Sequence, residues 1–223
     1  MPGLAANPSI FEYIELPGEK YQIHWLDWLI PKSKESLRDY TRRLSERIEH
    51  ENPVLIGVSF GGIIVQEMSL MIKTKRVIII SSVKCRAELP RRMRFASCTK
   101  AFRFLPTSLA RHVDYFEKFA IGDFAQKRAK LYKKYLSITD NSYLDWAIEH
   151  MVCWDREEPM EGVVHIHGDK DLIFPFKYIG ESITVPGGTH VMIINRFRWF
   201  NEHLDEIIRT GKLEEKKIKE YNK

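Results

Sequence analysis

The segment "IGVSFGGIIVQEM", residues 56–68, decides the fold. One apolar run ends at Ser59, and a second begins after Gly61 and Gly62. A G-x-S-x-G pattern lets a strand reverse sharply into a helix, because small residues flank a serine that is held in a strained conformation. The segment therefore predicts a strand, a tight turn with Ser59 at its apex, and a helix.

Short runs rich in Val and Ile predict further strands on both sides of this turn. Several are apolar without strict alternation, which is typical of parallel strands that are covered on both faces. The predicted strands are 21–28, 53–59, 76–82, 162–168 and 182–187. Helix-period patterns at 37–48 and 63–71 separate the first three strands. This alternation predicts an α/β fold with a mostly parallel sheet flanked by helices.

The rhythm of strands and helices stops between 85 and 158. This stretch has helix-period patterns and no convincing strand, so it predicts a helical insertion. The predicted α/β core is then formed by 1–84 and 159–212, and the charged residues 213–223 form a C-terminal tail.

Composition limits the classes of protein. A chain of 223 residues, 44% hydrophobic and 29% charged, is long enough to bury a core without disulfides or metals. Its apolar runs fall short of the ~20 residues that span a bilayer, and its start lacks the basic region of a signal peptide. The prediction is a cytoplasmic protein. Its odd number of cysteines, without C-x-x-C, predicts reduced thiols at Cys85, Cys98 and Cys153.

A serine at such a turn points to nucleophilic catalysis if a base and an acid accompany it. Serine is a weak nucleophile alone, so it needs a base within hydrogen-bond reach and a third group that orients the base. In a strand-turn-helix architecture the acid follows in the chain and the histidine comes last. Asp171 lies in "HGDKDLIFP" after one predicted strand, and His190 lies in "PGGTHVM" after the last.

These motifs, in this order, resemble the α/β-hydrolase superfamily, serine-nucleophile type with a helical cap. The resemblance covers nearly the whole chain and places the cap after the sixth strand of the family's sheet. It implies that Ser59 is the nucleophile, His190 the general base and then acid, and Asp171 the group that fixes the imidazole tautomer.

The resemblance also implies an oxyanion hole. Its first N–H comes from the residue after the nucleophile, Phe60, and its second from an early loop, where "PGLA" puts Leu4 in position. The sequence departs from the family pattern here. Pro2 replaces the usual histidine, and Ala5 stands where a glycine is common.

Other interpretations of these residues remain open from the sequence. Ser59 suits a structural helix cap, and Asp169 competes with Asp171 for the role of the acid. His165 and His167 have a spacing that suits a metal, but no cluster of Cys, Asp or Glu completes a site, so no metal and no cofactor is predicted.

The insertion is basic and aromatic. From Cys85 to Leu136 it has thirteen Lys or Arg against four Asp or Glu. Such a stretch is compatible with nucleic acid or an anionic membrane surface, and also with attraction of an anionic substrate. The favoured interpretation is a lid that faces water with its charges and lines an apolar substrate pocket with some of its aromatics, namely Phe95, Phe102, Phe104, Phe116 and Phe119.

The predicted function is ester hydrolysis through an acyl-serine intermediate, with a small-molecule ester as the partner and with no nucleic acid. Thioesterases, C–C hydrolases and acyltransferases of the same fold also use serine and stay open. An alternative from another class is a non-catalytic binding protein of this fold. A haloalkane dehalogenase or an epoxide hydrolase of this fold is disfavoured. Those enzymes resemble forms of the fold that carry Asp at the elbow, the sharp turn between strand and helix, where this chain has Ser59.

The resemblance also raises an expectation about the N-terminal region. In the family, a strand precedes the "PGLA" loop and lies between the strands matched here by 21–27 and 53–58. With Met1 directly before the loop, this strand is expected to be absent, which implies either an upstream start or an adapted sheet. With strands spaced about 4.8 Å apart, those two segments would lie at roughly twice that spacing, with unpaired edges.

Overall fold

The sheet is parallel throughout the part of the chain that the structure describes. The computed structural model describes residues 1–104 and 134–214. Its strands pair in the order of the sequence. They are β1 (Val54–Val58), β2 (Arg76–Ile80), β3 (Val163–Gly168) and β4 (Ile183–Val185). The four strands predicted after residue 50 are therefore confirmed.

Helices cover both faces of this sheet. They are α1 (Leu37–Ser45), α2 (Phe60–Met68), α3 (Arg91–Thr99), α4 (Asn141–Val152), α5 (Met192–Asn195) and α6 (Phe197–Thr210). Local sequence sets several of their ends. The Ser36 and Asp140 side chains accept hydrogen bonds from the first-turn amides of α1 and α4, and α6 ends at Gly211, where φ is 79°.

The alternation of side chains along β2 explains its continuous apolar run. Val77 and Ile79 belong to one buried cluster, together with residues of α1, α2 and α4. Ile78 and Ile80 belong to the other, together with residues of α6. Both faces of the strand are buried, as the absence of polar alternation predicts.

The predicted insertion is helical where the structure describes it. Residues 85–104 and 134–158 contain α3, α4 and two 3₁₀ turns, Arg86–Glu88 and Ala101–Phe104, and no strand. Within the described residues, no helix combines the length and the apolar character that crossing a bilayer requires.

The predicted strand at 21–28 is wrong. This segment has no regular secondary structure, and no ladder joins it to β1. Ile23 and Trp25 are largely exposed, with 40% and 46% of their surface accessible. A strand requires a neighbour that pairs with its backbone, and none of the described strands pairs with this segment.

Met1 lies in the place next to β1. Its amine donates to Ile56 O at 2.9 Å, and Val58 N donates to its carbonyl oxygen at 3.1 Å. These two bonds have the pattern of a parallel bridge opposite Gly57. Burial lowers the pKa of the Met1 amine to about 5.

A cavity of about 640 Å³ extends along this edge of the sheet. Its walls include Val54 to Ile56 of β1 and residues 20–26. Both segments, which the sequence predicts to lie apart, thus contribute to the lining of one cavity. This cavity does not include Ser59 in its lining.

Candidate active site

Ser59 occupies a strained turn between β1 and α2. Its backbone has φ 53° and ψ −121°, a conformation that residues with a side chain seldom adopt. Neighbouring chains hold it there. Ser59 N donates to Ile80 O at 2.9 Å, and the Ser82 hydroxyl donates to Ser59 O at 2.7 Å.

The glycines around Ser59 are needed because other chains pass too close for a side chain. A Cβ on Gly57 would clash with the Gly61 carbonyl, one on Gly61 with the Pro2 carbonyl, and one on Gly62 with the Ser82 hydroxyl. The G-x-S-x-G-G pattern therefore meets a steric requirement of this turn and of the N-terminal loop beside it.

The structure brings together the three residues predicted for a triad. His190 Nε2 lies 3.0 Å from Ser59 Oγ, and His190 Nδ1 lies 2.8 Å from Asp171 Oδ2. The Asp171 side chain is fully buried, whereas the His190 side chain is 22% exposed. Among the described residues, the carboxylate is therefore shielded from solvent, whereas the imidazole that it faces is partly exposed.

The two aspartates of the acid loop have different partners. Asp171 Oδ1 accepts from Ile173 N and Phe174 N at 2.8 and 2.9 Å, which leaves Oδ2 for His190. Asp169 Oδ1 accepts from Gly187 N at 2.7 Å and so ties the acid loop to the histidine loop. Of the two carboxylates, the one that faces the imidazole is Asp171.

His165 and His167 form a buried pair behind Asp171. His165 Nε2 lies 3.0 Å from His167 Nδ1, and His167 Nε2 lies 2.9 Å from Phe174 O. Burial lowers the pKa of both rings, so both are neutral near pH 7. The described residues contain no group of three or more His, Cys, Asp or Glu that could hold a metal ion.

Of the two amides predicted for an oxyanion hole, that of Phe60 directly follows Ser59 in the chain, and that of Leu4 follows Gly3, which packs against Ser59. Phe60 N–H is the first amide of α2 and has no partner within the helix. A Cβ placed on Gly3, the residue before Leu4, would lie 3.9 Å from Ser59 Oγ. Neither Leu4 N–H nor Phe60 N–H donates to a backbone acceptor among the described residues.

Ala5 shows what the departure from glycine means at this loop. Its φ is 63°, in the left-handed region that favours glycine. The loop therefore adopts a conformation suited to glycine despite carrying a side chain there.

Solved structures with the same architecture identify the fold. The esterase EaEST from Exiguobacterium antarcticum covers 94% of this chain and 92% of its own, with 18% identity and a TM-score of 0.60. A carboxylesterase from Nitrososphaera gargenis covers 95% and 90%, with 18% identity and a TM-score of 0.57. An alpha/beta hydrolase fold protein from Burkholderia ambifaria covers 78% and 74%, with 16% identity and a TM-score of 0.51.

The chain has the α/β-hydrolase fold. No protein-family model matches the sequence, and no curated protein matches it either. At the identities above, the likeness to solved structures establishes the architecture alone.

Within this α/β-hydrolase fold, the structure describes the side chains of two of the aromatics that were predicted to line a substrate pocket, and these two differ in exposure. Phe95, on α3, is 68% exposed, whereas Phe102 is buried. The side chain of Phe104, and all of Phe116 and Phe119, lie outside the part that the structure describes.

Sequence reasoning missed Trp28, which contacts the loop that carries Leu4. Its indole N–H donates to Gly3 O at 3.0 Å, and its ring stacks on that of Phe60. The sequence predicts a strand over this tryptophan, and nothing in "HWLDW" indicates a contact with residues so distant in sequence.

Proposed function

We propose that this protein is a serine hydrolase that cleaves a carboxylic ester through an acyl-enzyme. The observation that carries the proposal is the continuous hydrogen-bonded chain from Ser59 through His190 to Asp171, built on an elbow whose serine has a strained backbone. A serine that merely capped α2 would hydrogen-bond to a first-turn amide, and the Ser59 side chain makes no such bond.

In this mechanism His190 acts as the base and then as the acid. The Nδ1 proton is donated to Asp171 Oδ2, so Nε2 carries the lone pair that accepts the Ser59 proton as Oγ attacks the ester carbonyl. The same proton then passes to the departing alcohol. Water repeats these steps on the acyl-serine, releases the carboxylic acid and restores Ser59.

The Leu4 and Phe60 amides are proposed to bind the oxyanion of the tetrahedral intermediates. Both are backbone donors without a backbone partner, and Phe60 N–H stands at the positive end of α2. Fixed donors of this kind stabilise charge that develops in the transition state. No cofactor has a step in this mechanism.

We also propose that 85–158 acts as a cap over the site, and that it selects the substrate. Two of its described contacts support this. Arg92 donates to Leu172 O at 2.9 Å in the acid loop, and Ile138 N donates to Ala5 O at 3.1 Å in the N-terminal loop. Leu172 and Val191, which follow Asp171 and His190, are exposed apolar side chains that suit an apolar ester group.

The proposal is tested by labelling the full chain with a fluorophosphonate probe and by measuring turnover of a short p-nitrophenyl ester. We expect the probe on Ser59 and, in Ser59→Ala, loss of labelling and a fall in kcat of several orders of magnitude. Ser69→Ala, at the other end of α2, is the matched control and should keep both. Labelling at another residue, or unchanged turnover in Ser59→Ala, would contradict the proposed mechanism.

A further inference from the structure

Trp28 contacts both halves of the proposed oxyanion hole. It is buried, although it lies in the irregular segment between residue 21 and α1. Its indole N–H donates to Gly3 O, and its ring stacks on Phe60 with centroids 5.4 Å apart and planes 10° apart. One side chain thus contacts the residue before the first proposed donor and the residue that supplies the second.

The bond to Gly3 O fixes the direction of Leu4 N–H. Gly3 C=O and Leu4 N–H belong to one planar trans peptide, so they point in opposite directions. Trp28 Nε1 and Ala6 N both donate to this oxygen at 3.0 Å. Two donors on the carbonyl oxygen restrain rotation of the peptide plane and hence restrain the N–H on its far side.

The same bond strengthens Leu4 N–H as a donor. Hydrogen bonds to an amide oxygen polarise the peptide unit and make its N–H more positive. Trp28 Nε1 makes this bond in a buried environment, where the effect is greater than in water.

Other contacts hold the indole in place. Tyr143 of α4 lies with its ring centroid 5.3 Å from that of Trp28, and its hydroxyl accepts from Ala5 N at 3.5 Å. Trp28, Phe60 and Tyr143 therefore form a buried aromatic cluster, and two of its members hydrogen-bond to the loop around Ala5.

We propose that Trp28 is a positioning residue for catalysis, which orients and polarises the Leu4 amide and supports Phe60. The inference rests on the proposed function, because it needs the Leu4 and Phe60 amides to bind an oxyanion. Trp28 itself contacts no reacting atom. Its effect should therefore appear in the transition state and not in ground-state binding of the ester.

The test uses Trp28→Phe in the full chain, which removes the N–H donor and keeps an aromatic ring. We expect kcat for a p-nitrophenyl ester to fall about tenfold with KM within twofold, because a misaligned donor costs less than the 10²- to 10³-fold of a deleted one. The inhibition constant of an alkylboronic acid, whose tetrahedral adduct places an oxygen in the hole, should rise by the same factor.

Trp199→Phe is the matched control. Trp199 is also buried, but it packs on Phe200 and His203 of α6. Trp199→Phe should lower the melting temperature about as much as Trp28→Phe does, because both variants shrink a buried ring. It should leave kcat and the affinity for the boronic acid unchanged. An equal loss of kcat in both variants would assign the effect to general packing and overturn the inference.

A second replacement keeps the test decisive if Trp28→Phe does not fold. Site-specific substitution of Trp28 by 3-benzothienylalanine keeps the bicyclic shape and replaces the N–H by sulfur. It should reproduce the tenfold loss of kcat, and full activity would overturn the inference. If Ser59→Ala is inactive while this variant is fully active, only the role of Trp28 fails; if Ser59→Ala is active, the proposed function fails first.

Discussion

Asp171 and His190 lie in the loops that follow two adjacent strands, β3 and β4, and Asp171 Oδ2 is 2.8 Å from His190 Nδ1. Parallel neighbours end at the same edge of a sheet, so residues nineteen positions apart in the chain meet there. The Ser59 turn follows β1 at that edge, which places its hydroxyl 3.0 Å from the other ring nitrogen of His190.

The first prediction separates the two aspartates of the acid loop. Asp171→Asn should lower kcat by roughly 10³- to 10⁴-fold, because an amide supports the wrong imidazole tautomer. Asp169→Asn is the matched control, because its carboxylate accepts from Gly187 N and does not reach the imidazole. It should change kcat by less than about tenfold. Steady-state kinetics on a p-nitrophenyl ester measure both, and a larger loss in Asp169→Asn would contradict the assignment of the acid.

The sequence predicts the features that local motifs determine, and it does not predict contacts between distant parts of the chain. The elbow at Ser59 and the loops of Asp171 and His190 are local motifs, and the order of the strands places them at one edge of the sheet. The bridge between Met1 and β1 and the hydrogen bond from Trp28 to Gly3 join distant parts of the chain. No local pattern encodes them.

The prediction of a strand at 21–28 is wrong for the same physical reason. Its composition fits a strand, but a strand is stabilised only when another backbone pairs with it. Trp28 instead lies in the core, while Trp25 stacks on Phe11 at a ring distance of 5.2 Å. Tertiary contacts therefore decide the conformation of this segment.

The second prediction concerns the glycines of the elbow. Gly61→Ala should destabilise the protein by about 3 kcal/mol or more, because the new methyl group would meet the backbone carbonyls of Pro2 and Met1. It should also displace the loop that carries Leu4 and reduce kcat. Gly18→Ala is the control, since its Cβ would have nothing within 4 Å, and it should stay within about 0.5 kcal/mol of the wild type. Urea unfolding measures both, and equal stability of the two variants would contradict the steric argument.

The third prediction concerns Ala5. Its left-handed φ of 63° costs an alanine roughly 1–2 kcal/mol, which glycine avoids. Part of this gain is offset by the greater freedom of glycine in the unfolded chain, so Ala5→Gly should raise the free energy of unfolding by about 0.5–1 kcal/mol. Ala6→Gly, at a buried position with no positive φ, should instead lower it. A loss of stability in Ala5→Gly would show that the Ala5 methyl contacts outweigh the backbone strain.

The last prediction is the response of stability to pH. Burial lowers the pKa of His165 well below its usual 6.5, with the nearby His167 ring acting in the same direction. The unfolded chain therefore binds a proton at this ring below about pH 6.5, and the native protein does not. Since stability rises with pH wherever the unfolded state binds more protons, the contribution of His165 is fully present above pH 6.5 and is lost as pH falls, at up to about 1.4 kcal/mol per pH unit.

His165→Gln removes the titrating ring, so its free energy of unfolding should fall less steeply between pH 7 and pH 5 than that of the wild type, even though it starts lower. Urea unfolding at several pH values gives both slopes. Equal slopes would show that His165 is protonated in the native state over this range, against the effect of its burial.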